Sequence, residues 1–160
     1  MDNLISKPEF LTFLIAMLPI SELRGALPFA LSCGISPGVA YLISVAGNIL
    51  PVIPLLLFLE RLSSFIMRYP RGKRVLKRIL DQGRKKKALV ERYSFPGLLL
   101  LVAIPLPVTG AWTGTIISFL LSLRLKYAFL AICGGVCLAG IIVLLVSLGI
   151  ISGVKFLTGM

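Results

Sequence analysis

The sequence predicts an all-α integral membrane protein made of two inverted repeats, each a broken or re-entrant helical hairpin followed by a transmembrane helix. Three observations predict it. Of the 160 residues, 58% are hydrophobic and 14% charged, against about 25% charged in an ordinary soluble domain, and the mean hydropathy is +1.00. The apolar residues fall into four blocks, residues 10–33, 39–59, 95–123 and 127–154, each near the ~20 residues a spanning helix needs. The first and third blocks are interrupted at their centres.

In the first block the interruption is Pro19-Ile20-Ser21-Glu22-Leu23-Arg24-Gly25-Ala26-Leu27-Pro28. Paired prolines remove backbone donors and Gly25 weakens the helix, so unwound chain is expected here. The second block carries Gly47, Asn48, Pro51 and Pro54 but otherwise continues as Val, Ile and Leu, and reads as a plain or kinked crossing. The third block breaks at Ile104-Pro105-Leu106-Pro107-Val108-Thr109-Gly110-Ala111-Trp112-Thr113-Gly114. The fourth contains Gly134, Gly135 and Gly140, has no charge at its centre and reads as a crossing.

Broken backbone at membrane depth persists only where protein or a water-filled cavity satisfies its freed groups, so the two interruptions are expected to face inward. Gly25-Ala26 matches Gly110-Ala111, and a plain crossing follows each broken segment. Such paired broken segments are the sequence pointer to a transporter site at a repeat interface. The chain is expected to form a single membrane domain, residues 1–160, with repeat 1 over 8–60, a basic loop over 61–93 and repeat 2 over 94–154.

The net charge of +11 has a location: twelve of the 17 Lys and Arg lie between Arg61 and Arg92. Between apolar blocks this is the positive-inside signature of a cytoplasmic loop on anionic lipid. Val75, Leu76, Ile79 and Leu80 recur at helical spacing among Lys73, Arg74, Lys77 and Arg78, which suits an amphipathic helix on the inner leaflet, with Arg84-Lys85-Lys86-Lys87 as a further patch. Re-entrant and fully crossing topologies each leave fourteen cations inside and two outside, so charge does not separate them. The re-entrant form is favoured because one hairpin plus one crossing per half yields an inverted repeat.

Few aromatics accompany the basic stretch, so nucleic acid is not an expected partner. With no histidine, the usual zinc sites and Ser-His-Asp or Cys-His catalysis are excluded, and the chain is not expected to be an enzyme or to hold a cofactor or metal. Cys33, Cys133 and Cys137 lie in apolar surroundings and read as core residues. The N-terminus lacks a convincing cleavage site, so the first apolar block is expected to stay in a multi-pass protein of the cell (inner, cytoplasmic) membrane.

Glu22 and Arg24 are the charged residues deep inside an apolar block. An ionisable group there costs at least a few kcal/mol, so its default reading is a site or pathway. Two positions apart, they point to one side of an extended chain but to different faces of a helix. Burial and a neighbouring cation pull the protonation of Glu22 in opposite senses, making it the candidate proton-coupling or cation-binding group. Arg24 offers a planar fork of donors for a phosphate or carboxylate. Thr109, Thr113 and Trp112 supply polar groups in the second interruption, and Gly110 and Gly114 form a close-approach step. Asn48 and Arg124 are candidate supporting residues; Gly149-x-x-x-Gly153 is a candidate helix contact or homodimer seam.

At Glu22-Leu23-Arg24-Gly25-Ala26-Leu27-Pro28 and at the segment from Ile104 to Gly114, the sequence resembles the small multidrug export protein family. The resemblance extends over most of the chain. That family is similar in plan to the DedA, or SNARE-associated, superfamily, which implies opposed re-entrant hairpins and lipid transport, and it makes Glu22 a coupling candidate. DedA proteins carry arginines in their second hairpin, whereas this chain has Thr109 and Trp112 there, with Arg124 the nearest arginine.

The resulting expectation is a transporter of an amphiphilic anion, a polyprenyl phosphate or phospholipid, with proton coupling. Glu22, Arg24, Gly25, Pro28, Pro105, Pro107, Thr109, Gly110, Trp112, Thr113 and Gly114 form the expected substrate and coupling site. The alternatives are a proton-coupled exporter of small organic cations and a non-transporting membrane scaffold.

Overall fold

A computed structural model of the chain describes residues 7–66, 87–105, 110–121 and 123–158. Among them are seven helices and no strand: α1 Pro8–Met17, α2 Glu22–Ser32, α3 Pro37–Ile49, α4 Val52–Ile66, α5 Lys87–Ala103, α6 Ala111–Leu120 and α7 Leu125–Thr158. The all-helical class is as the sequence predicts.

Proline sets several of the boundaries. Steric conflict with a proline ring drives the preceding residue out of helical geometry. Lys7, Leu18 and Ser36, preceding Pro8, Pro19 and Pro37, are accordingly extended, with ψ of 129°, 139° and 143°. Pro8 and Pro37 then open α1 and α3, where the missing N–H costs nothing. Helix α2 closes on Gly34, whose φ of +80° suits a residue without Cβ. Gly34 N–H donates to Leu31 O and Ile35 N–H to Ala30 O, the paired bonds of a Schellman ending.

The second apolar block is not one plain helix. Pro51 and Pro54 lack the N–H groups that would continue the i to i−4 ladder, and the ladder is interrupted at residues 50–51 between α3 and α4. The bonds Leu50 N–H to Ala46 O and Leu55 N–H to Pro51 O carry helical geometry up to and away from that point.

Two apolar stretches are long enough to cross a membrane, Pro37–Leu59 with 23 residues and Leu125–Ile150 with 26. Within an 18-residue apolar window of each, only 33% of the residues are buried. Leu42, Ile53, Leu57 and Phe58 on the first, and Leu130, Ile141, Leu145 and Val146 on the second, stand exposed; apolar surface of this extent is matched to lipid and not to water. Helices α1, α2 and α6 have 10, 11 and 10 residues, about half the length a crossing requires.

The chain divides into two compact units. One comprises Met1–Leu50 and Val136–Met160, the other Pro51–Gly135. In the first, α1, α2 and α3 pack on one another. The contact of α1 and α3 is close because Gly47 has no side chain: a Cβ there would lie 2.6 Å from Phe13 O and 2.9 Å from Ala16 Cβ. Gly140 of α7 receives the ring of Tyr41 in the same way, since a Cβ there would lie 2.7 Å from Tyr41 Cε2, and the Tyr41 hydroxyl donates to Cys137 O at 3.1 Å.

In the second unit α6 packs on α4 and α5. Here a Cβ on Gly135 would lie 2.6 Å from Val102 Cβ and 2.8 Å from Leu99 O, and one on Gly114 2.6 Å from Val102 Cγ2. Small residues at such crossings let backbones approach, which is the main source of packing energy between helices in lipid.

One expectation is corrected. Chain unwound from Pro19 to Pro28 is expected from the sequence, but the break spans only residues 18–21 and the chain is helical from Glu22 onward, through Gly25 and Pro28. One proline, Pro19, suffices to end α1, and Pro28 is tolerated inside α2 with its ring exposed. Gly25 sits inside the first turn of α2, whereas Gly110 immediately precedes α6. Helix α4 runs to Ile66 and α5 begins at Lys87, within the basic stretch 61–93. The expected amphipathic helix around Val75, Leu76, Ile79 and Leu80, and Arg84, Lys85 and Lys86, lie outside the described residues.

Candidate functional site

The first unit holds the charged candidates. Glu22 is the first residue of α2 and is only 8% exposed. Its φ is +45°, the one positive value among the described non-glycine residues. A Cβ in this region meets the carbonyl that follows it, at a cost of about 1–2 kcal/mol, and such strain gathers at functional sites. The chain is held in it by Glu22 N–H donating to Leu18 O, 3.0 Å, across the break, and by Gly25 N–H donating to Ser21 O, 2.9 Å.

Arg24, in the same helical turn, is half-buried, and the charge of Glu22 acts on it. Because Glu22 departs from helical geometry, the two side chains are not related by the ordinary helical rotation for neighbours two apart. Gly25 and Pro28 are exposed on α2.

Asn48, a supporting candidate in the sequence, is 3% exposed on α3, and its Oδ1 has no hydrogen-bond partner among the described residues. One turn earlier Ser44, fully buried, has an Oγ in the same condition. Ser44 is the site residue that sequence reasoning missed. Its signal was available: two polar residues at i and i+4 within an apolar block share one helix face.

Three other buried hydroxyls are satisfied within their own helices: Thr12 donates to Pro8 O, Thr115 to Ala111 O and Ser118 to Thr115 O, each at 2.7 Å. Ser44 does not take this option. A buried polar group left unpaired costs about 1–3 kcal/mol, so two on one face are a feature to be explained.

Their direction follows from the rotation of α3. Gly47 faces α1, while Tyr41 and Val45 face Gly140 of α7. At 100° per residue Ser44 and Asn48 fall on the arc between those two directions, within the interior of the unit. The height of Glu22 along the bundle is fixed by α1. The first turn of α2 meets it at Ile15, where a Gly25 Cβ would lie 3.9 Å from Ile15 Cγ2, and the last turn of α3 meets it at Phe13 and Ala16. The first turn of α2 and the last turn of α3 thus both meet α1 between Phe13 and Ala16.

The remaining candidates belong to the second unit. Gly110 is buried just before α6; Trp112 and Thr113, in the first turn, are half-buried and engaged with neighbours. Gly114 serves packing, against Val102. Pro105 follows the end of α5, and Arg124 is exposed ahead of α7. Pro107 and Thr109 lie outside the described residues.

The family model described as "Putative small multi-drug export protein" matches residues 22–142. The chain belongs to this family. Searches of curated proteins and of solved structures gave no match. In this small multi-drug export family member the matched region opens on Glu22 and contains Arg24, Ser44, Asn48 and the second broken segment, while α1 precedes it. The family and the apolar helices together make it a membrane protein of an export group.

Proposed function

We propose that this protein exports amphiphilic organic cations across the cell (inner) membrane in exchange for protons, with Glu22 binding proton and substrate in turn. The observation that carries the reading is the buried carboxylate of Glu22 at a strained helix start, beside a break in the chain. An ionisable group at such a place is costly and marks a pathway. Half-length α1, α2 and α6 support re-entrant segments, and crossings along Pro37–Leu59 and Leu125–Ile150 support a multi-pass topology.

An internal inverted repeat is part of the proposal. It is supported by the way each half ends its short helix: Ile35 N–H to Ala30 O before Pro37 opens α3, and Leu123 N–H to Ser118 O before Leu125 opens α7. In this register Glu22 corresponds to Gly110 and Gly47 to Gly135, so the carboxylate belongs to one half only. Lipid headgroups of the inner leaflet are the partners of the basic loop, a homodimer is compatible with the small-residue helix faces, and the chain acts as carrier and not as enzyme.

A second reading has one observation in its favour: the half-buried Arg24 beside Glu22 is suited to an anionic headgroup, a polyprenyl phosphate or phospholipid. Thermal stabilisation in detergent separates the two, because a ligand that binds only the folded state raises its apparent stability. The proposal expects stabilisation by a lipophilic amine that disappears in Glu22→Gln. Stabilisation by a polyprenyl phosphate alone, lost in Arg24→Ala, establishes the second reading instead.

A further inference from the structure

Resting on the reading of Glu22 as a cation site, we infer that Ser44 and Asn48 form a hydrogen-bond-accepting subsite beside it that selects ammonium groups bearing N–H over quaternary ammonium. Glu22 supplies charge, which attracts any organic cation alike. The two α3 residues supply something different: unpartnered oxygens, Ser44 Oγ and Asn48 Oδ1, one turn apart on the same helix face and at least nine-tenths buried.

An amide oxygen accepts and cannot donate, so what satisfies Asn48 must bring a hydrogen or be a cation. An ammonium head with two N–H groups can satisfy both oxygens. A trimethylammonium head, equal in charge, leaves both oxygens unpaired and desolvated. Such asymmetry gives strong discrimination, since a site built to hydrogen-bond rejects the analogue lacking the donor far better than an apolar pocket rejects an extra methyl group.

The location is consistent. Ser44 and Asn48 lie on the interior arc of α3, between its contacts with α1 and α7, and the last turn of α3 and the first turn of α2 both pack on α1 between Phe13 and Ala16. The hydroxyls of Thr12, Thr115 and Ser118, by contrast, are occupied by their own helices and offer nothing to a ligand.

The test compares the melting temperature of the full chain in detergent with n-octylamine, protonated at neutral pH, and with octyltrimethylammonium at the same concentration. Sodium chloride against choline chloride at equal ionic strength forms a third arm. The expected result is a saturable rise of several degrees with octylamine and a much smaller one with the quaternary analogue, the difference vanishing in both Asn48→Leu and Ser44→Ala.

Equal stabilisation by the two amphiphiles, both lost in Glu22→Gln, overturns the subsite and leaves the exporter reading intact. A preference that survives in Ser44→Ala and in Asn48→Leu also overturns it. If sodium alone stabilises and octylamine adds nothing, the oxygens serve a metal ion and the ammonium subsite is likewise overturned. Should Asn48→Leu fail to fold, Ser44→Ala carries the comparison alone. Absence of stabilisation by either amphiphile in the wild type removes both the subsite and the cation reading of Glu22.

Discussion

Gly47 of α3 lies so close to the carbonyl oxygen of Phe13 that a Cβ on it would sit 2.6 Å from that oxygen. Backbone cannot swing aside as a flexible side chain can, so α1 must shift outward to admit even a methyl group. Overpacking of this kind costs about 1–3 kcal/mol. Gly47→Ala is expected to lower the melting temperature in detergent clearly, and Gly135→Ala to do the same through Leu99 O at 2.8 Å. Gly38→Ala, with nothing within 4 Å, is the control that stays near wild type.

The backbone of Glu22 gives a prediction that contacts alone do not. Inside a helix Ala is ordinarily more stable than Gly by about 1 kcal/mol. At a φ of +45° that order reverses, because only Gly lacks the Cβ that is strained there. Glu22→Gly is therefore expected to melt at or above the temperature of Glu22→Ala, although both lack the carboxylate. A clearly higher melting temperature for Glu22→Ala would mean that this residue is not held in the left-handed region.

Gly34 closes α2 at a φ of +80°, in open space. Its cost on substitution is thus conformational and not steric crowding. Gly34→Ala is expected to lose roughly 1 kcal/mol, and Gly34→Asn less, since Asn visits this region more readily. Unfolding followed by thermal melts of the three proteins orders them.

Tyr41 ties α3 to α7 through its hydroxyl, 3.1 Å from Cys137 O, while its ring covers Gly140. Interhelical hydrogen bonds in membrane proteins average only ~0.6 kcal/mol. Tyr41→Phe, which keeps the ring, is expected to cost about that much. Tyr41→Ala, which removes the ring from Gly140, is expected to cost several times more, as large-to-small changes in packed cores do.

Most of the helical plan was legible because proline and hydrophobic block length act locally. Pro8, Pro19 and Pro37 place their boundaries through the residue that precedes each, and the two long apolar stretches follow from runs of sequence nearly free of charge. The extent of the first break was not legible. Gly25 and Pro28 are both disfavoured in helices, yet neighbours on α1 and α3 support α2 through them, and tertiary packing outweighed propensity. Glu22 and Arg24 were legible as charges out of place in apolar sequence. Ser44 was not singled out, because a serine in a membrane helix is usually satisfied by its own carbonyls, as Thr12 and Thr115 are. That it is unpaired is a property of the packed unit.

The central claim is that Glu22 exchanges proton for cation. Its most direct test is uptake of a lipophilic amine into proteoliposomes driven by an imposed pH gradient, in wild type, Glu22→Gln and Arg24→Ala. The account predicts gradient-dependent uptake by wild type, none by a folded Glu22→Gln, and uptake largely retained by Arg24→Ala. Wild-type rates in Glu22→Gln, or loss of uptake in Arg24→Ala alone, would contradict it.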